Sequence, residues 1–164
     1  MGWAATEFET IDLGDERRNK RAIRLVERLS AQPTASVPQA CGDWADTIAA
    51  YRFFNNEAVD WRAILGAHTD CAMTRMAAHE VVLCIQDTTE LDFNGQEASG
   101  LGPLSYEAQR GMFAHPTYAV STSREPLGVL DAWMWARKAR NTQGKRDDVS
   151  PGCQNSCRIQ FFDG

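Results

Sequence analysis

The sequence lacks the features of an exported or membrane-spanning protein. Its start has no charged segment followed by an apolar one, the pattern of a signal peptide. The longest apolar stretch near its centre covers residues 81–85, whereas a membrane span needs about 20 residues. Cysteine is sparse and odd in number, and without an export signal such residues are expected to be reduced thiols: Cys41, Cys71, Cys84, Cys153 and Cys157. We therefore expect a cytoplasmic protein without membrane spans.

An excess of positive charge is also missing, since 17 Lys and Arg stand against 22 Asp and Glu, a net charge of −5. This balance argues against a protein that coats nucleic acid over its whole surface. The charge is uneven, however. Residues 57–124 hold four basic and nine acidic side chains, and residues 1–56 hold seven and eight. Six of those seven basic residues lie between Arg17 and Arg28, so any anion-binding surface is expected there.

The first half of the 164-residue chain has the pattern of a helical domain. Asp15 is the predicted N-cap of a helix over residues 16–30. Four apolar residues of that helix have the spacing of one buried face: Ala22, Leu25, Val26 and Leu29. The prolines at positions 33 and 38 predict an extended connector. Two further helices are predicted, from the N-cap Asp43 to about residue 55 and from Asp60 to about residue 78.

From residue 81 the pattern changes to that of a sheet. Residues 81–85 form a continuous run rich in β-branched side chains, which predicts a buried central strand with Cys84 in the core. Further strands are predicted over residues 88–93, 117–122 and 127–135, with a glycine-rich loop over residues 95–103. The short connections predict a mixed sheet that starts antiparallel. Residues 141–164 are polar and have no sustained period, which indicates a disordered tail.

Four arginines share one face of the first predicted helix: Arg17, Arg21, Arg24 and Arg28. At about 100° per residue they lie within roughly 40° of one another, and the apolar stripe lies about 120° away. A guanidinium suits phosphate because its planar fork can donate two parallel hydrogen bonds. The alternative is an ordinary solvated helix face. Because only Glu27 is nearby to neutralise the cluster, we favour an anion-binding surface.

A second candidate site begins where the central strand ends. Asp87 follows the apolar run directly and is itself followed by Thr88 and Thr89. Open sheets commonly bind ligands at the ends of their strands, and carboxylate oxygens are suitable ligands for Mg²⁺. The alternative, which the residues alone favour, is an Asp that begins a turn. A zinc site at Cys153 and Cys157 is disfavoured because the chain has no second pair at a usable spacing.

Several ordered motifs resemble one protein family. They are LGDERRNKR at residues 13–21, SVPQAC at 36–41, AYRFFNN at 50–56, IQDTTEL at 85–91, GMFAH at 111–115, and residues 126–135. Together they are similar to bacterial cut-and-paste transposases of the transposon-five type, within the insertion-sequence-four group. The resemblance covers about residues 7–138 and ends near residue 141, where the sequence has the character of translation in a shifted frame.

The resemblance implies an α+β chain with a helical DNA-binding domain at residues 1–78. An incomplete RNase H-like mixed sheet at residues 79–140 and a tail outside the family pattern at 141–164 would follow. In this family a triad of two Asp and one Glu binds Mg²⁺ and cuts and joins DNA strands. Asp87 matches the first Asp of the triad, as a catalytic and metal-binding residue. The basic residues that match DNA-binding positions are Arg17, Arg18, Arg21 and Arg52, with Arg24 and Arg28 added by the helical stripe.

The implied partner is double-stranded DNA carrying the terminal inverted repeats of a transposon, bound in the bacterial cytoplasm at the nucleoid. The second Asp and the Glu of the triad lie further downstream in the family, so DNA cleavage and strand transfer are expected to be lost in this chain. One alternative is a non-catalytic DNA-binding regulator that inhibits or associates with a full-length transposase. Another is a non-functional remnant that does not fold stably.

Overall fold

The fold is described by a computed structural model, in which residues 2–94, 99–106 and 108–138 are described. Helices come first along the described chain and strands follow, as expected for an α+β protein. The helices are α1 (Trp3–Glu7), α2 (Glu16–Ala31), α3 (Val37–Cys41), α4 (Trp44–Phe54) and α5 (Trp61–Met76). The strands are β1 (Val82–Gln86), β2 (Thr89–Asp92), β3 (Gly102–Pro103), β4 (Arg110–Ser121) and β5 (Pro126–Trp135).

Aspartate caps begin the three longest helices. The carboxylate of Asp15 accepts a hydrogen bond from the backbone N–H of Arg17, and that of Asp43 accepts one from Asp46. The carboxylate of Asp60 accepts one from the backbone N–H of Arg62. A carboxylate at this position satisfies an N–H group that has no partner within the helix. The predicted starts of α2, α4 and α5 are therefore confirmed.

The helical core is built mainly from small and aromatic side chains. In α2 the buried residues are Ala22 and Leu25, both on the predicted apolar stripe. They belong to one cluster with residues from the other helices and the segment before α2: Ala4, Phe8, Ile11, Leu13, Cys41, Ala50, Phe53 and Ala67. The cluster fixes one side of α2 against its neighbours, so the arginines of α2 lie outside the core.

Two helices differ from the sequence-based predictions. The connector expected around Pro38 contains α3, because proline is tolerated in the first turn and the Gln39 side chain accepts a hydrogen bond from the Ser36 N–H. Helix α1 was not predicted; it is only five residues long, too short for a sequence period to reveal it.

β4 is the central strand of the sheet, and each of the other four strands pairs with it. β1 runs antiparallel to β4, in a register that extends from Val82 opposite Ser121 to Gln86 opposite Thr117. β3 is also antiparallel to β4, with Gly102 opposite Gly111. β4 starts well before the predicted residue 117, and β3 lies within the segment predicted as a loop, of which residues 95–98 fall outside the described chain.

The prediction of a buried central strand at residues 81–85 is wrong. β1 is at one end of the strand order, and most of its side chains are exposed, including that of Cys84, which was predicted to be a core residue. An apolar run shows that side chains can be buried, but it does not reveal how many strands pair beside it.

The chain divides into two compact units. The first contains the helices, β1 and parts of β4 and β5, within Met1–Thr89 and Ala114–Met134. The second contains the described residues of Glu90–Phe113 and of 135–138. In the second unit Trp135 stacks on Phe113, with 5.4 Å between ring centroids. The domain boundaries at residues 78 and 140 stay predictions, and the predicted tail lies outside the described residues.

In the described part of the chain, no helix combines the length and the apolar character that crossing a membrane requires.

Candidate nucleic-acid interface

Three of the predicted DNA-binding arginines converge on one carboxylate. The guanidinium of Arg21 lies 3.0 Å from Asp46 Oδ1, while those of Arg24 and Arg28 lie 2.7 Å and 2.6 Å from Oδ2. Arg28 also donates a hydrogen bond to the carbonyl of Cys41. We define Arg21, Arg24, Arg28 and Asp46 as the arginine cluster; it joins α2 to α4 within the first unit.

The position of Asp46 follows from the start of α4. Asp43 caps that helix by accepting a hydrogen bond of 2.7 Å from the backbone N–H of Asp46. The neighbouring Thr47 side chain turns inward and donates to the carbonyl of Asp43. Asp46 therefore lies in the first turn, on the side of α4 that packs against α2, and its side chain is only 11 % exposed.

The cluster carries more positive than negative charge. Its three guanidinium groups share a single carboxylate, so two positive charges are not neutralised within the cluster. The hydrogen bond from Arg21 holds the pKa of Asp46 below its usual range, and the charges of Arg24 and Arg28 act in the same direction against the cost of burial. Asp46 therefore stays ionised at neutral pH, where it orders the arginines without cancelling their charge.

Arg24 is the member of the cluster best placed to meet a ligand. Its side chain is 52 % exposed, compared with 30 % for Arg21 and 26 % for Arg28. Contact with one carboxylate oxygen leaves most of the five N–H donors of a guanidinium available. An anion at the surface of α2 would meet charged donors that Asp46 has already ordered, which lowers the entropy lost on binding.

The remaining predicted arginines have different surroundings. Arg17 is 91 % exposed and lies 3.2 Å from Asp15, the N-cap of its own helix. Arg18 donates a hydrogen bond to the carbonyl of Leu13, which fastens the segment before α2. Arg52 is exposed on α4. The structure thus groups Arg21, Arg24 and Arg28, leaves Arg17 and Arg52 at the surface, and gives Arg18 a structural contact.

Helix α4 also exposes aromatic side chains, which the sequence pattern did not reveal as surface groups. Trp44 is 77 % exposed, Tyr51 46 % and Phe54 48 %, whereas Phe53 is buried. Trp44 and Tyr51 are seven residues apart and share one side of the helix. The buried side carries Asp46, Thr47, Ala50 and Phe53 instead. Trp44 is two residues from Asp46, so an aromatic group stands close to the arginine cluster along the chain.

Asp87 lies just beyond β1, as predicted, but its surroundings do not form a complete metal site. Its carboxylate accepts a hydrogen bond of 2.8 Å from the backbone N–H of Thr88. The Thr88 hydroxyl lies 2.7 Å from Nδ1 of His115. Within the described residues no group of three His, Cys, Asp or Glu side chains is arranged to hold a metal ion. The described residues around Asp87 therefore do not fit a two-ion magnesium centre, and the role of Asp87 stays a prediction.

Comparison with known families bears on the helical half of the chain. Residues 1–59 match the transposase DNA-binding family model. The matched segment contains α1 to α4, and with them the whole arginine cluster, Arg17, Arg18 and Arg52. This match supports a transposase-type, DNA-binding protein, and the prediction is confirmed at that level.

Asp46 is the member of this transposase DNA-binding segment that sequence reasoning missed. An aspartate in the first turn of a helix is ordinarily explained by the helix dipole, so nothing marked it as a partner for arginines. The signal was present in the spacing, because three arginines at i, i+3 and i+7 leave one face of α2 strongly charged. The buried carboxylate that holds this face in place lies on α4, beyond the short helix α3.

Proposed function

We propose that this chain binds double-stranded DNA through the exposed side of α2, with Arg17 and the arginine cluster contacting phosphates. The observation that carries the proposal is the convergence of three guanidinium groups on Asp46, which leaves two positive charges uncompensated. The family match of residues 1–59 supports the same role.

The binding chemistry follows from the guanidinium group. Each arginine can donate two parallel hydrogen bonds to one phosphate, and the charge of the pair strengthens them. Binding releases counterions condensed on the DNA, so the affinity should fall steeply as salt rises. Phosphate contacts fix position and register but do not read sequence. Selectivity for particular ends would come from other groups, and the exposed Arg52 is the candidate that the resemblance supplies.

The natural DNA ligand in this proposal is the terminal inverted repeat of a bacterial transposon. The sequence resemblance supports it, as it supports the insertion-sequence-four group, an RNase H-like sheet in the second half, and action at the nucleoid. Asp87 would be the first carboxylate of the family triad, in which Mg²⁺ supplies Lewis-acid chemistry when bound. Because the described residues around Asp87 do not complete that site, our proposal for this chain is binding without cleavage.

The same surface would serve a regulator that occupies transposon ends or associates with a full-length transposase. Asp87, with no completing metal ligands among the described residues, favours this second candidate. A nicking assay on terminal-repeat DNA with Mg²⁺ tests the loss of cleavage that both candidates share. Binding without nicking is expected of both, whereas metal-dependent nicking by the purified chain would contradict them.

Replacement of Arg24 tests the proposed surface. In Arg24→Ala, Arg21 and Arg28 still hold Asp46, so the fold should be kept while one phosphate contact is lost. We expect the slope of log affinity against log salt to become shallower by about 0.9, the value for one phosphate contact. Fluorescence anisotropy with a labelled duplex at several salt concentrations measures this slope.

The matched control is Arg62→Ala, which removes the same charge from an exposed side chain on α5, where Arg62 stacks on Trp61. That variant should bind DNA like the parent protein. If Arg24→Ala and Arg62→Ala lower the affinity equally, the arginine cluster is not the binding surface. Equal affinity for terminal-repeat and random duplexes would contradict specific recognition of transposon ends.

A further inference from the structure

One side of α4 faces away from the helical core and carries two exposed aromatic rings. At about 100° per residue, four residues lie within roughly 100° of one another on this side, which we call the outward side of α4: Trp44, Ile48, Tyr51 and Arg52. Trp44 is 77 % exposed and Tyr51 46 %. Within α4, every residue of which the structure describes, the only acid is Asp46, and it is buried on the opposite side. Neighbouring exposed aromatic groups of this kind mark a surface that binds a partner.

Charge and position identify DNA as the partner of the outward side of α4. The arginine cluster joins α2 to α4 and keeps two positive charges that Asp46 does not neutralise. The exposed Arg52 adds a third positive charge on α4 itself. The segment that matches the transposase DNA-binding family, residues 1–59, contains the whole of α4. A polyanion that approaches α4 therefore meets favourable charge and no exposed acid within the helix.

We propose that Trp44 and Tyr51 contact base edges in the major groove of the DNA whose phosphates the arginine cluster holds. This proposal rests on the proposed function and adds to it the groups that read sequence. The major groove is about 12 Å wide and admits an α-helix. In helix-turn-helix proteins one helix lies in that groove while a neighbouring helix contacts the backbone. Helix α4 takes the first of these roles here, and the arginine-bearing α2 takes the second.

The chemistry of the two aromatic side chains selects thymine. In the major groove thymine presents an apolar C5 methyl group, which adenine, guanine and cytosine lack. An aromatic ring gains by covering this methyl group, whereas against the polar edges of the other bases it leaves hydrogen-bonding groups unpaired. Removing one such methyl-sized group from water raises the affinity about fourfold. Trp44 and Tyr51 lie two helical turns apart, about 10.5 Å, so they contact thymines at different base pairs.

Replacement of thymine by uracil tests these contacts, because uracil keeps the hydrogen-bonding groups of thymine and lacks only the methyl group. The full chain first selects its preferred sequence from duplexes with a randomised centre. Fluorescence anisotropy then measures binding to that duplex with each thymine replaced in turn. We expect two replacements, at different base pairs, each to lower the affinity of the parent protein about fourfold.

Two variants assign these thymines to their side chains. Trp44→Ala should bind the thymine and uracil duplexes equally at one of the two positions and keep the response at the other, and Tyr51→Ala should do the reverse. Both variants should keep the salt slope of the parent protein, because their phosphate contacts are intact. Circular dichroism shows that each variant is folded.

The matched control is Trp133→Ala, which removes an exposed tryptophan from β5, outside the segment that matches the DNA-binding family. It should respond to uracil as the parent protein does. Quenching of tryptophan fluorescence by acrylamide gives a second measurement, and acrylamide is chosen because a neutral quencher is not repelled by DNA. The difference in quenching between the parent protein and Trp44→Phe reports on Trp44, and the selected duplex should abolish that difference.

A parent protein that binds its selected duplex but loses no affinity on any uracil replacement would overturn the proposal. So would a Trp44→Ala variant that keeps the response of the parent protein at every thymine, or a Trp44 that acrylamide still quenches in the complex. A protein partner for the outward side of α4 would give these results. Failure of the proposed function is distinguishable, because the parent protein would then bind no duplex, or Arg24→Ala would leave the salt slope unchanged.

Discussion

Asp46 and Glu7 are two shielded carboxylates of the first unit that hold basic side chains, and they differ in charge balance. Asp46 is bound by three arginines, with Arg24 half exposed. Glu7, at the end of α1, is bound by Arg75 through two contacts of 2.8 Å and 2.9 Å, and Nδ1 of His68 lies 2.6 Å away. The first site keeps a surplus of positive charge, whereas the ion pair of Glu7 with Arg75 is balanced.

The Glu7 site is also tied to the backbone of the sheet. Nε of Arg75 donates to the carbonyl of Leu127, and the N–H of Val129 donates to Nε2 of His68. Gly128 lies between them with φ +142, and a Cβ there would come within 2.9 Å of His68 Nε2 and 2.7 Å of Ala72 Cβ. The polar groups of Arg75 and His68 are thus used within the fold, connecting α1 and α5 to β5.

The comparison shows how a structural ion pair can be told from a binding surface. A balanced pair whose donors reach backbone carbonyls has little left to offer a ligand. A surplus of guanidinium groups around one shielded carboxylate retains both charge and donors. We therefore expect removal of Arg75 to lower mainly the stability of the fold, and removal of Arg24 to lower mainly the affinity for DNA.

The largest effect is expected for Arg75→Ala. It leaves the carboxylate of Glu7, only 15 % exposed, without its main partner and removes a donor from Leu127. Breaking a buried ion pair costs 3–5 kcal/mol, and because Arg75 is partly exposed we expect a loss of about 2 kcal/mol in the free energy of unfolding. Urea denaturation followed by circular dichroism measures it.

Arg24→Ala is measured in the same experiment for comparison, because it removes an arginine from the arginine cluster. Asp46 then keeps Arg21 and Arg28, and the free energy of unfolding should change far less than in Arg75→Ala. Equal losses in the two variants would show that the arginine cluster is a structural support like the Glu7 site. DNA binding by folded Arg75→Ala should match the parent protein.

The sequence predicted the local features of these sites better than it predicted which distant residues form ion pairs there. The caps Asp15 and Asp43 were found because capping depends on residues two or three positions away. The arginine stripe followed from helical geometry alone. Asp46 lies 25 residues from Arg21, and Glu7 lies 68 residues from Arg75. Those pairings depend on how helices pack, which no local period encodes.

β1 shows the same limit of sequence-based prediction in the sheet. Its type and limits were predicted well, since a run of β-branched residues is a local signal. Its burial was predicted wrongly, because burial depends on which strands and helices lie beside it. Cys84 changed from a core residue to an exposed thiol for that reason. The role of Asp87 depends in the same way on residues brought near it by the fold.

Acidification should weaken the ion pairs of Glu7 and of Asp46. The two should be lost at different pH values because the ordinary pKa values of their carboxylates differ. The hydrogen bonds and charge of Arg75 lower the pKa of Glu7 from 4.5, and Arg21 with its neighbours lowers that of Asp46 from 3.8. The unfolded chain then binds more protons than the folded one, so stability is complete above these values and falls as pH drops through the folded pKa of each group.

The measurement is urea denaturation between neutral pH and pH 3. We expect the loss of stability to begin near pH 4.5, with the contribution of Asp46 lost only below pH 3.8. Glu7→Gln should start less stable at neutral pH and lose less on acidification, because its side chain no longer titrates. A parent protein whose stability is unchanged down to pH 3 would contradict the stabilising role of both carboxylates.

The smallest effect on stability is expected for Arg17→Ala. Arg17 is 91 % exposed, and its guanidinium pairs with the neighbouring Asp15. The cap of α2 survives because Asp15 accepts its hydrogen bond from the backbone N–H of residue 17, which alanine retains. Denaturation curves should therefore coincide with those of the parent protein, while the salt slope of DNA binding becomes shallower. Lys20→Ala is the matched control, since Lys20 is exposed and pairs with Glu16 off the arginine stripe. A salt slope changed by Lys20→Ala as much as by Arg17→Ala would show that DNA responds to the general charge of α2 and not to its arginine face.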